Sequence, residues 1–287
     1  MMSKHYLRRS HENVVVARSV SSTIVGHLRE LALLAGLYFF YCCTRVLGAH
    51  DPVSARQRAR EVRRLEGLVH LDVESQVNAA VTQMAWIAVP MDYWYALLHY
   101  LVTPAALGWL YWAQHTAYPR YRNVIVVSSA LGLLGYLFFP TAPPRLMGEP
   151  YLDTLARYAH MGWWAEHASA PSGLGGLTNE LAAMPSLHVG WAVWVAWALF
   201  RHVRGPVGRV VLLSYPLLTT AVVVCTGNHW LLDCLVGMLV VLVGIATSNL
   251  VSRCKALDSL KSFEGTDLRV RAGQTRTSRP RHFRPHR

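Results

Sequence analysis

Charge is scarce in this chain of 287 residues: Asp, Glu, Lys and Arg make up 15% of it, with 16 acidic residues against 28 basic ones. That is too little charge for an ordinary water-soluble domain of this length. Cysteine is sparse as well. Cys42, Cys43, Cys225, Cys234 and Cys254 form no CxxC pair, which removes the zinc-ribbon and disulfide-framework classes and leaves them as apolar filler. A nucleotide-binding loop is also missing, because "GLGG" has neither the lysine nor the strand-to-helix setting that phosphate cradling requires. The first apolar run begins near Leu31 behind a basic leader and has no small-residue cleavage site, so it reads as a retained span rather than a signal peptide.

What the chain has instead is apolar length. Hydrophobic residues make up 53% of it and the mean hydropathy is +0.23. Six runs approach the roughly 20 residues that cross a hydrocarbon core: Leu28 to Gly48, Met91 to Ala113, Asn123 to Pro140, Ala183 to His202, Val207 to Cys225 and Trp230 to Leu250. The expected fold is all-α: a polytopic membrane bundle of six transmembrane helices with an interfacial amphipathic helix and an outer loop acting as a lid. The expected organisation is a basic leader over 1–27, a catalytic membrane domain over 28–252, and a basic disordered tail over 253–287.

The net charge of +12 resides in loops and tails between the runs, which points to anionic lipid headgroups and away from nucleic acid. Basic connections at Arg120, Arg122, Arg201, Arg204 and Arg209, together with the basic ends, place both termini in the cytoplasm of a multi-pass plasma-membrane protein. The arginines at 56, 58, 60, 63 and 64 count against this orientation. They are interspersed with Asp51, Glu61 and Glu66, and the following "LVHLDVESQVNAAVTQMAWIAVP" is too polar early on to cross, so it reads as an amphipathic helix on the outer interface. The loop from Tyr151 to Leu181, with its "APSGLGGLTNE", is the expected lid. Within it Asp153, Arg157 and Glu180 are either headgroup contacts or ordinary surface residues.

Three polar islands fall on the outer side in this topology. In "FPTAPPRLMG", prolines stop the third span and hold Arg145 at its end. "MPSLH" puts Ser186 and His188 at the start of the fourth span, and "TGNHWLLD" puts His229 and Asp233 at the start of the sixth. Asp233 follows His229 by four residues, which on a helix is one face. A carboxylate there can accept the N–H of one ring nitrogen, fix the tautomer and leave the other nitrogen as a nucleophile. If His229 attacks phosphorus, His188 is the acid for the departing alkoxide. Ser186 and nearby N–H groups, with the fork of Arg145, would hold the nonbridging oxygens. The plainer readings are headgroup-level histidines and a snorkelling Arg145. The His229–Asp233 pair argues against them, because ionisable groups within spans are seldom idle. His99 either faces this site or pairs within the bundle. Trp163, Trp164, Trp191, Trp194 and Trp197 read as belt or packing residues.

"MPSLH" and "TGNHWLLD" resemble the second and third signature motifs of the type 2 phosphatidic acid phosphatase superfamily, and "FPTAPPRL" resembles the first motif of its inositol phosphorylceramide synthase-like branch. The resemblance covers about Leu65 to Leu250. It implies a six-helix membrane fold and catalysis without metal or cofactor through a phosphohistidine. His229 would be the nucleophile, Asp233 its orienting carboxylate and His188 the acid and later base, with Arg145 and Ser186 binding phosphate. The phosphatase branch carries a lysine where this chain has Phe138, a proline where it has Leu146, serine-arginine where it has Val222-Val223, and glycine where it has Leu187. Two cationic phosphate ligands are therefore missing, as in the synthase branch. A vanadium haloperoxidase, which needs those cations, does not fit. The expected substrate is a lipid phosphate or phosphodiester, with water or a polyol as acceptor. The alternative is a non-catalytic anionic-lipid transporter or binding protein.

Overall fold

The computed structural model describes residues 25–44, 46, 51–165, 168–171 and 179–277. Each apolar run found in the sequence contains a helix among its described residues. Helix α1 covers 25–44. The second run is α4 (Ala85–Tyr93), a π-helical turn (Trp94–Leu98) and α5 (His99–Ala113) in direct succession. The remaining runs are α6 (Tyr118–Phe138), α8 (Leu187–Leu199), α9 (Pro206–Cys225) and α10 (Leu231–Thr277). Between them lie α2 (Pro52–Leu68), α3 (Glu74–Thr82) and the single turn α7 (Thr154–Arg157). A short antiparallel ladder of β1 (Trp164–Ala165) and β2 (Ala168–Pro171) and an isolated bridge between Thr141 and Ala182 are the β-structure among the described residues.

Among the described residues, three helices are long and apolar enough to cross a membrane: Tyr118–Phe138, Pro206–Cys225 and Leu231–Cys254. Their outward faces carry large apolar side chains such as Val207, Val210, Leu217, Leu239 and Leu242, as a lipid-facing surface requires. Helix α8, with 13 residues, is about 20 Å long and forms the inner post on which α5, α6, α9 and α10 pack. Its Trp194 is fully buried and donates to the Tyr121 carbonyl at 3.0 Å. The approach of α10 to α8 depends on Gly237, where an added Cβ would lie 2.2 Å from the Ser186 carbonyl oxygen.

Two features go beyond the sequence reading. Helix α3, within the stretch expected as an amphipathic interfacial helix, and helix α2 before it are packed into the loops. Helix α3 buries a polar face of Glu74, Asn78 and Thr82, because Asn78 satisfies the Leu152 amide and carbonyl and the Cys225 carbonyl. Helix α2 buries Ala55, Ala59, Val62 and Glu66 against Ala142, Tyr151, Ala183 and Trp230, so it roofs the loops instead of resting beside the bundle. The basic segment after Ser252, expected to lack structure, continues α10 to Thr277, since extending an existing helix is far easier than starting one. The leader up to residue 24, the glycine-rich part of the expected lid over 172–178 and the final segment 278–287 lie outside the described residues.

Candidate active site

The three polar islands are joined through their main chains. The Thr141 amide donates to the Leu181 carbonyl at 2.8 Å and the Ala183 amide to Thr141 at 3.2 Å, which ties the first island to the second. The Arg145 amide donates to Gly227 at 2.9 Å, tying the first to the third, and the Ser186 amide donates to the Asp233 carbonyl at 2.9 Å, tying the second to the third. Gly227 sits at φ +70°, and an added Cβ there would lie 3.2 Å from the Leu152 carbonyl oxygen. That turn brings Asn228 and His229 round toward the first island.

Beneath these loops is a cavity of about 330 Å³. His188, His229, Arg145, Asn179, Glu180 and Asn228 form its polar end. Its other walls are apolar and aromatic, with Leu34 and Tyr38 from α1, Leu133 and Tyr136 from α6, and Trp191 from α8.

His229 is 3% exposed. Its Nδ1 lies 2.9 Å from the Ala183 carbonyl, and a carbonyl can only accept, so Nδ1 carries the proton. Nε2 is then the bare nitrogen, and it faces His188 Nδ1 at 3.3 Å, where His188 is the donor. Asp233 stands 3.6 Å from Nδ1, too far for the hydrogen bond that the four-residue spacing suggests. Its Oδ2 accepts instead from the Trp230 amide at 2.9 Å, one of the orphan donors of the α10 start.

The His188 ring is held on two sides. Tyr95 stacks on it with centroids 4.5 Å apart, and His99 meets it edge to face at 4.3 Å. Both come from the π-helical turn and its edge, and the turn is what brings them to bear on this one ring. The two open readings of His99 thus merge, since it lines the cavity by packing on His188.

Arg145 donates from Nε to Asn228 Oδ1 at 3.0 Å and from Nη1 to Asp153 Oδ2 at 3.1 Å. Asp153, one of the loop residues singled out in the sequence, orients this guanidinium. Arg157 packs on Tyr158 and does not line the cavity. Ser186 does not line it either. It is fully buried as the N-cap of α8, and its Oγ accepts from the Val189 amide at 3.4 Å, which directs the hydroxyl into the helix and away from a phosphate.

The profile described as the PAP2 superfamily matches residues 60–247, more than half of the chain. The chain belongs to this superfamily. This PAP2 protein is 26% identical over 188 residues to the phosphoinositol dihydroceramide synthase of Bacteroides thetaiotaomicron, an alignment covering 61% of this chain and 56% of that protein. The chain thus spans a little over half the length of the curated relative it matches. No solved structure matches it.

Three site features escaped the sequence: the Ala183 carbonyl, Asn228 and Tyr95. Asn228 was within reach, being next to His229. A main-chain acceptor leaves no side-chain signature at all.

Proposed function

We propose that this PAP2 protein is an integral membrane enzyme that cleaves and transfers lipid phosphoesters through a phosphohistidine on His229. The observation that carries this reading is the pairing of a carbonyl on Nδ1 with a bare Nε2 facing the cavity. A phosphoryl group entering between the two rings takes the Nε2 lone pair. The N–P bond forms as the P–O bond to the first alcohol breaks, and that alkoxide leaves with the His188 proton. An incoming hydroxyl then gives its proton to His188, forms the new P–O bond and releases His229. Asp233, within Coulombic reach of Nδ1, supports the positive charge that the ring carries while phosphorylated. Arg145 neutralises the nonbridging oxygens, and Ser186 acts by fixing the start of α8. The steps need no metal.

Arg145 is the only lysine or arginine lining the cavity among the described residues, and Asp153 already offsets part of its charge. One partly neutralised cation suits a singly charged phosphodiester better than a doubly charged monoester, which favours headgroup transfer over simple hydrolysis. The name of the Bacteroides relative, phosphoinositol dihydroceramide synthase, supports a polyol phosphate as the transferred group. In this reading six helices cross the plasma membrane, both termini are cytoplasmic and the site opens at the outer face.

The test is a product assay on purified protein in vesicles, offering lipid phosphomonoesters and phosphodiesters with and without alcohol acceptors. An acceptor-dependent phosphodiester that disappears with His229→Ala supports transfer. Free phosphate lost in the same variant would make the protein a phosphatase. Turnover retained by His229→Ala sinks the mechanism, and flux or binding without any product would favour a transporter.

A further inference from the structure

Helix α10 begins at Leu231 without a capping hydroxyl or amide of its own, yet its start is buried. The free amides of a first turn must find acceptors, or each is a desolvated, unmatched donor. Two of the acceptors come from remote sequence. The Leu231 amide donates to Glu74 Oε1 at 3.0 Å, and the Leu232 amide to Glu66 Oε1 at 2.7 Å. With Asp233 Oδ2 on the Trp230 amide, three successive amides behind His229 are held by three carboxylates. Glu66 is 2% exposed and Glu74 fully buried. Glu74 belongs to the segment that the sequence placed on the outer interface and Glu66 to the arginine-rich stretch just before it, and neither lies in the three polar islands.

We infer that Glu66 and Glu74 are positioning residues for the nucleophile: by clamping the first turn of α10 from α2 and α3, they fix His229 between the Ala183 carbonyl and His188. The inference rests on the His229 mechanism proposed above. The clamp explains why α2 and α3 bury polar groups. Helix α2 also reaches the Ala183 side of the site, since Ala55 and Ala59 pack in one cluster with Ala142, Ala183 and Trp230. One roof therefore grips both supports of the His229 ring. The acceptor oxygens of the clamp also suit the positive end of the α10 dipole.

The experiment compares Glu66→Ala, Glu74→Ala, Glu66→Gln and Glu74→Gln with wild type and His229→Ala in vesicles, on whichever phosphodiester donor the wild type turns over. A glutamine keeps an oxygen that can accept the helix amide, and an alanine does not. The alanine variants should lose kcat by on the order of ten- to a hundred-fold, the scale of a small misplacement of reacting groups, with KM within about two-fold of wild type because substrate contacts remain. The glutamine variants should recover to within about three-fold of wild-type kcat, since the amide bonds are restored. Alanine variants with wild-type kcat overturn the inference, and so do glutamine variants as slow as alanine, which would make charge rather than the hydrogen bond the cause. If an alanine variant does not fold, its glutamine counterpart decides alone: near wild-type kcat supports the clamp and a ten-fold loss overturns it. An active His229→Ala would instead mark failure of the nucleophile assignment itself.

Discussion

The imidazole of His229 is tied to the main chain of Ala183, whose carbonyl accepts a hydrogen bond from Nδ1–H at 2.9 Å, while Asp233 stands behind at 3.6 Å. The tautomer is thus set by a loop that the first polar island holds in place through Thr141. Asp233 is left to cap α10 and, in the proposed mechanism, to supply charge.

That division of labour makes Asp233 separable. Asp233→Asn retains an oxygen for the Trp230 amide, so its thermal midpoint should stay close to wild type, while kcat falls on the order of a hundred-fold because the charge opposite the phosphorylated ring is gone. Asp233→Ala should lose both. Kinetics and thermal unfolding on the same preparations check this, and wild-type kcat in Asp233→Asn would remove Asp233 from the chemistry.

Arg145 is oriented by Asn228 on Nε and Asp153 on Nη1, a fork geometry that an ammonium cannot reproduce. Arg145→Lys should therefore lower kcat/KM by about ten-fold or more, about 1.4 kcal/mol, although the charge is kept. Activity equal to wild type would mean that only charge is needed there.

Gly237→Ala would drive a methyl group against the Ser186 carbonyl oxygen. The expected result is a loss of about 1–3 kcal/mol of stability, read as a lowered thermal midpoint, together with reduced turnover because the start of α8 shifts. Gly36→Ala, whose Cβ meets nothing within 4 Å, is the control and should leave both unchanged.

Burial pushes the Glu66 carboxyl from its ordinary 4.5 up to about 8, with the neighbouring Glu74 and Asp233 acting in the same direction against the Leu232 amide bond. Between those two values the folded protein keeps a proton that the unfolded chain has released. Stability must therefore fall as pH rises from about 4.5 to about 8. Glu66→Gln should flatten that slope. Thermal unfolding across the range measures it, and an unchanged slope in the variant would assign the dependence to another group.

Much of this was legible in the sequence. The six apolar runs each contain a helix among their described residues, and "FPTAPPRL", "MPSLH" and "TGNHWLLD" do meet around one cavity. Local spacing misled where it had to choose between partners. Four residues between His229 and Asp233 permit a hydrogen bond, but a carbonyl from the second island arrives closer. Ser186 looked like a phosphate ligand because serine before a helix is polar and near the site, yet the same position makes it the cap of α8. Glu66 was only one of the acids interspersed among arginines and Glu74 was not singled out, because nothing nearby in sequence shows that their partners lie 166 and 157 residues away.

The sequence by itself determined a charge-poor helical chain suited to a bilayer, with its ionisable residues gathered at the ends of apolar runs, because hydropathy and helical periodicity are local properties. Only the tertiary structure decided which proton His229 keeps, which residues grip its helix and which charge faces the cavity. Those outcomes depend on distances of a few tenths of an ångström between segments far apart in the chain, and a hydrogen bond goes to the nearest acceptor that packing delivers.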